Sequence, residues 1–294
     1  MVGQTLRDIR EGKGMSLEYV CGDELSKAQL SRIETKGQMP RLDNFSHILS
    51  RLNVTFEEFF ELDTTGDVGF RTQLGIQIEE SVKKNDLKKI TFLLPKIKAW
   101  RTTNENIFLA HMEVILTAAK MLLQTNHDVE QVRQSINQKD LLEMKEYLDS
   151  MDQWYHYELA ILNNILFLFE PEVVTQWAER AIRVIKKREA YFKDNDISRR
   201  LLTNLSKYYL THRKYLDAYT FSSDAIALGP STNHLCSIIL AKVLNQIASF
   251  KLANGQYDEA QVRDLMNCFL VVDMLDHYQS LKSLVSQYGI AVVE

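Results

Sequence analysis

The sequence predicts an all-α protein in two parts: a five-helix head over residues 1–62 and a helical-repeat tail over residues 70–294. Three observations predict it. Only four prolines and eleven glycines interrupt 294 residues, which favours long helices and few turns. No alternating apolar–polar run bounded by turn residues occurs, so strand signals are missing. Two segments forty-two residues apart, "NLSKYYLTHRKYLDA" (204–218) and "QIASFKLANGQYDEA" (246–260), repeat one pattern of amphipathic helix, polar turn, Tyr and then Ala.

The head's elements follow in order. Leu6, Ile9 and Arg10 mark a first helix, and "KGMS" ends it and restarts the chain with Ser16 as N-cap. Tyr19 and Val20 give the second helix its apolar face, and "CGDEL" is a tight turn on Gly22 and Asp23. Ser26 caps a third helix that Gly37 and Pro40 close. Leu42, Phe45, Ile48, Leu49 and Leu52 fall at helical spacing, and Thr55 caps a short fifth helix, "FEEFFEL". "DTTGDVG" (63–69) reads as a linker.

Composition excludes several classes. At 45% hydrophobic and 25% charged residues the chain is globular. Its charged start cannot serve as a signal peptide. Its most apolar stretch, "LAILNNILFLF" (159–169), is too short to span a bilayer. A soluble, cytoplasmic protein with no membrane association is expected. Cys21, Cys236 and Cys268 form no CxxC and read as buried free thiols. No HExxH, paired-histidine spacing or phosphate-binding glycine loop occurs, so no catalytic residue, metal site or cofactor is assigned and an enzyme is not expected. His156 and His277 lie beside acids, as surface histidines commonly do.

The net charge of −4 does not advertise nucleic-acid binding, and residues 1–62 hold 8 basic against 10 acidic residues. A local basic face is nonetheless enough for a dimeric reader of DNA. Stepping 100° per residue along the third helix puts Leu30 and Ile33 inward. Ala28, Ser31, Arg32 and Thr35 fall on the opposite side, with Lys27 at the margin. Such a small, polar, cationic face suits a major groove about 12 Å wide. Arg32 and Lys27 suit guanine edges or phosphates, and Ala28 suits a thymine methyl. Every surface helix has a polar face, however, so this face alone does not decide the matter.

"LRDIREGKGMSLEYV" followed by "LSKAQLSRIE" resembles the Xre-type, lambda-repressor-like helix-turn-helix. "GDELSKAQLSRIE" is similar to the Rgg/MutR branch, whose recognition helix reads much like "SxxQLSRFE". With the helical tail, the chain resembles an Rgg-like regulator over essentially its full length. The resemblance implies base contacts from Lys27, Ala28 and Arg32 and phosphate contacts from Gln29 and Ser16. It also implies a structural Arg10–Glu34 ion pair between the first and third helices. Leu17 replaces a phosphate-binding Gln of many relatives, "ETKG" is one residue longer than the common "ERG", and the cysteine some relatives carry near Ile48 is missing.

The tail reads as a tetratricopeptide-like α-solenoid with stretched repeats. Earlier helix pairs are expected at 104–124 with 128–148 and at 154–169 with 171–188. Asn164, Asn204 and Asn245 lie on first helices of successive pairs, 40 and 41 residues apart. An Asn amide donates and accepts at once, so a row of them can hold a peptide backbone. Tyr208, one turn beyond Asn204, adds a hydroxyl or a ring. Repeat alignment places Gln246 rather than Asn245 opposite Asn204, so the row is not forced. "WYHYELAILNNILFLF" (154–169) is read chiefly as solenoid core. The resemblance implies a homodimer that binds double-stranded DNA, controlled by a short hydrophobic signalling peptide imported into a Gram-positive cell, as in pheromone quorum sensing. A helical-repeat adaptor whose head contacts protein remains open, as does a DNA-binding regulator with another ligand or none.

Overall fold

The structure is a computed structural model that describes residues 2–63, 67–103, 106–125, 128–188, 196–229, 235–253 and 256–290. All regular structure among these residues is helical. The chain divides into two compact units, Met1–Lys96 and Ile97–Glu294.

The first unit opens with the five expected helices: α1 (Val2–Gly12), α2 (Leu17–Cys21), α3 (Lys27–Lys36), α4 (Leu42–Leu52) and α5 (Phe56–Leu62). Their boundaries are local chemistry. Ser16, Ser26 and Thr55 each accept a backbone N–H from three residues on, and Gln29 and Glu58 complete capping boxes at α3 and α5. Gly22 (φ 53°) and Gly37 (φ 67°) take up the positive φ that closes α2 and α3. One face of each helix enters a shared core of Leu6, Val20, Leu30, Ile33, Phe45, Ile48, Leu49, Leu52 and Phe59. Phe45 and Phe59 meet edge to face at 4.9 Å. Arg51 stacks over the Tyr19 ring and donates to the Tyr19 carbonyl, which ties α4 to α2.

α6 (Asp67–Lys83) follows and packs on α5. Of the span expected as linker, residues 64–66 lie outside the described residues, while Asp67–Gly69 are already helical. Asp63 is buried and accepts from the Thr5 hydroxyl at 3.3 Å. α7 (Leu87–Thr103) runs across the division between the units.

The second unit is a succession of helices: α8 (Ile107–Gln124), α9 (Val129–Ser135), α10 (Gln138–Ser150), α11 (His156–Ile165) with a 3-10 turn at Leu166–Leu168, α12 (Pro171–Lys187), α13 (Asp196–Thr211), α14 (Tyr215–Ala227), α15 (Leu235–Leu252), α16 (Glu259–Val271) and α17 (Leu275–Gln287). α8 packs on α9 and α10, each helix from α13 to α17 packs on the next, and the first helix α13 also packs on α11 before it and α15 after it. That is the repeat geometry of a solenoid.

Four details differ from expectation. The partner of α8 is two helices, because Ile136 is extended and Asn137 starts a new cap that accepts from the Lys139 N–H. Ala218 is fully buried against α13, as the repeat pattern required, but its counterpart Ala260 is exposed. Of the cysteines only Cys21 is buried; Cys236 is half-buried and Cys268 is exposed. Moreover, the longest apolar helices are α8 and α15, not 159–169. Both are long and apolar enough to cross a membrane. α8 buries Phe108, Leu109, Met112, Val114, Ile115 and Leu116 in this unit, and α15 packs closely on α14.

Candidate nucleic-acid interface and ligand face

In the first unit, α3 is anchored from within. Leu30 and Ile33 are buried at 0% and 3% exposure. Glu34, also buried, accepts two bonds from Arg10 of α1, Nε to Oε1 and Nη2 to Oε2, both at 2.8 Å. Arg10 further donates to the Met15 carbonyl at 3.0 Å, so one guanidinium joins α1, α3 and the chain leading to α2. The hydrogen bonds that Arg10 donates to Glu34 raise the Arg10 pKa above its usual range. Gly3 makes this packing possible, since a Cβ there would overlap the Ile33 carbonyl oxygen.

The opposite side of α3 is open. Lys27, Ala28, Gln29, Arg32 and Thr35 are exposed, while Ser31, expected among them, is half-buried. Arg32 Nε donates to the Ala28 carbonyl at 3.1 Å, and Thr35 Oγ1 donates to the Ser31 carbonyl at 2.6 Å. Lys27 reaches Glu18 of α2 at 2.9 Å, with both side chains more than half exposed. An exposed pair of this kind is worth under about 1 kcal/mol, so Lys27 is easily redirected. Gln29 Oε1 accepts from the Ser26 N–H and hydroxyl, and Ser16 Oγ accepts from the Tyr19 N–H. Both side chains therefore cap helices as well as facing solvent. The bidentate Arg10 is structural, as its resemblance role implied.

In the second unit, the three asparagines do lie on successive first helices, but their amides are engaged. Asn164 Nδ2 donates to the Ala160 carbonyl of its own helix at 2.7 Å. Asn204 Nδ2 donates to Asn163 Oδ1 on α11 at 3.0 Å. Asn245 Nδ2 donates to the hydroxyls of Ser222 and Ser223 on α14, at 3.1 and 2.9 Å. Tyr208, expected beside the asparagines with its hydroxyl or ring available, is buried. It is 4% exposed, and its hydroxyl donates to the Phe169 carbonyl at 2.8 Å, closing the end of the 3-10 turn. Burial pushes its pKa up. Among the described residues no cluster of His, Cys, Asp or Glu could hold a metal ion.

A family model described as "HTH-type transcriptional regulator Rgg, C-terminal domain" matches residues 101–284. The chain belongs to the Rgg family. Solved structures share the fold across nearly whole chains. A candidate transcriptional regulator from Listeria monocytogenes EGD-e matches with TM-score 0.75 and 21% identity, covering 98% of this chain and 96% of that one. The SHP pheromone receptor Rgg2 of Streptococcus dysgalactiae matches with TM-score 0.68 and 17% identity, covering 98% and 99%. PlcR of Bacillus thuringiensis, solved in complex with the peptide PapR7 and DNA, matches with TM-score 0.65 and 18% identity, covering 95% and 98%.

Sequence reasoning passed over two residues of this Rgg-family chain that matter to its sites. Asn163 rather than Asn164 meets Asn204. One residue is a 100° rotation on a helix, and periodicity alone did not fix which of two adjacent asparagines faces the next repeat. Lys207 stands on α13 among the same residues and lines a cleft shared with α15, α16 and α17.

Proposed function

We propose that this Rgg-family chain is a sequence-specific DNA-binding transcriptional regulator controlled by a short peptide bound on the first-helix face of its repeats. Residues 1–62 are the DNA-reading part, 63–69 the connection, and 70–294 the part that dimerises and senses. The observation that carries the reading is α3. It is fixed from inside by Leu30, Ile33 and Glu34 and offers Lys27, Ala28, Arg32 and Thr35 outward. In this reading Arg32 and Lys27 meet base edges or phosphates, Ser31 lies at the edge of the contact, and Ser16 and Gln29 approach phosphates. A structural relative, PlcR, was solved with peptide and DNA together, which supports pairing the two roles.

Dimerisation places two copies of α3 about one helical turn of DNA apart. The exposed apolar run Leu270, Val271, Val272 and Leu275, at the turn between α16 and α17, supports self-association. A peptide switches the protein only by binding one dimer arrangement better than another, with a coupling on the order of 1–3 kcal/mol. The protein works in the cytoplasm, where DNA is.

The test is duplex selection from a random pool followed by anisotropy on the enriched sequence. Arg32→Ala is expected to lose about 1–3 kcal/mol and relax one base position, while Lys27→Ala lowers the salt slope by about one. Wild type binding no duplex better than Arg32→Ala at any salt overturns the DNA reading. The adaptor reading then gains, favoured by the head's 10 acidic against 8 basic residues.

A further inference from the structure

Near the carboxyl-terminal end of the second unit, α13, α15, α16 and α17 enclose a cleft of about 530 Å³. That volume falls in the range of small-ligand sites. Leu240, Phe269, Leu281 and Leu284 form apolar walls, while Ser280, Ser283 and Gln287 bring hydroxyls and an amide. His277 stacks on Phe269 with ring centroids 5.3 Å apart, which stiffens one wall. Among the described residues one lysine lines this space, Lys207, three residues beyond Asn204 on α13.

Lys207 is half-buried, and no ion pair or hydrogen bond among the described residues holds its ammonium. Burial alone acts on it and draws its pKa below the usual lysine range. An ammonium partly withdrawn from water and without a counter-charge is one that a ligand carboxylate in the cleft can pair.

We propose that this cleft is a carboxylate-binding pocket in which Lys207 anchors the acidic group of an apolar peptide. The proposal rests on the peptide-sensing reading above and adds the chemistry of its recognition. One lysine with neighbouring hydroxyls suits a monoanion, whose two oxygens accept from the ammonium and from Ser280 or Ser283. A phosphate would call for an arginine fork or several cations, and the cleft lining has neither. The apolar walls select a carboxylate carried on an apolar chain over a small hydrated anion.

The test uses the full-length protein and three pools of fluorescein-labelled synthetic apolar heptapeptides. One pool has a free carboxyl terminus, one is amidated, and one is amidated with a single internal Asp. Wild type is expected to bind the free-acid pool about tenfold or more tightly than the amidated pool. Recovery in the Asp pool assigns the carboxylate to a side chain, and no recovery assigns it to the terminus; either supports the pocket. Lys207→Met should abolish the preference and Lys207→Arg should keep most of it. Lys207→Met alone should not lower hydrogen-exchange protection across α13, because no described residue pairs with the ammonium; lower protection means a structural partner and overturns the assignment. Equal binding of acid and amide pools by wild type overturns the pocket while leaving peptide sensing intact. Binding of no pool at all overturns both.

Discussion

Replacing Glu34 by Leu removes the buried carboxylate that Arg10 meets, and the cost can be worked from the structure. The pair makes two bonds of 2.8 Å, with the Glu34 side chain 3% exposed and that of Arg10 11% exposed. Charge-assisted bonds contribute about 1.5–3 kcal/mol each, and breaking a buried pair from one side costs about 3–5 kcal/mol. Arg10 keeps its bond to the Met15 carbonyl and a longer one to Glu11 at 3.3 Å, which argues for the lower end, about 3 kcal/mol. The double variant Arg10→Met with Glu34→Leu leaves no orphaned charge and should recover most of that loss. The chain has two units, so a single melting curve would mix their transitions. Hydrogen exchange followed by mass spectrometry on peptides from residues 2–36 of the full-length protein reads the head alone. A loss below about 1 kcal/mol in Glu34→Leu, or a double variant no better than the single, would refute the claim that this pair fixes α1 against α3.

Other outcomes follow from named contacts. Gly3→Ala forces a methyl into the Ile33 carbonyl and should destabilise the head by about 1–3 kcal/mol, read by the same exchange measurement; unchanged protection would show that α1 can shift freely. His111 is 2% exposed, bonded through Nδ1 to the Tyr157 hydroxyl, and burial draws its pKa down to about 4. The folded state thus resists protonation, so this contribution is complete above the unfolded value near 6.5 and is lost as pH falls from there to about 4, on the order of 3 kcal/mol. Urea titrations between pH 7 and 4 should show that loss, and it should shrink in His111→Phe. Tyr208→Phe leaves the Phe169 carbonyl short of a donor and should cost about 1 kcal/mol of stability without changing peptide affinity; a selective loss of affinity would return Tyr208 to the ligand face. Asn204→Ala and Asn164→Ala should each change peptide affinity by less than about 1 kcal/mol, because both amides are already bonded within the protein, and isothermal titration giving a larger loss in either would contradict that reading of the row.

What could be read in the sequence was what is settled within a few residues. The caps at Ser16, Ser26 and Thr55 accept N–H groups three positions away, and the turn at Gly37 needs only its own φ. The inward direction of α3 follows from one 3.6-residue period, and Leu30 and Ile33 are buried accordingly. What could not be read was which way each repeat helix is rotated against the next. Tyr208 was expected beside a ligand and instead closes on a carbonyl 39 residues earlier. Gly3 looked unremarkable in a charged amino terminus, because its constraint is a backbone oxygen on another helix. Ala218 and Ala260 occupy equivalent repeat positions, yet only the first is covered.

The same rotation bears on how such a face could recognise a peptide. An amide already bonded to a neighbour gains little by exchanging that partner for a peptide backbone, since the net worth of one hydrogen bond is about 1 kcal/mol. Asn204 with Asn163, and Asn245 with Ser222 and Ser223, are therefore poor sources of affinity, though they penalise a ligand that breaks their bonds without replacing them. They suit selection rather than strength. Affinity has to come from groups whose needs are unmet before binding. In the proposed cleft beside α17 those are the apolar walls, where burial contributes about 25 cal/mol per Å², and the half-buried ammonium of Lys207. On the proposed reading, clamp and anchor are then separate devices on one set of helices, one judging the backbone and the other holding the acidic end.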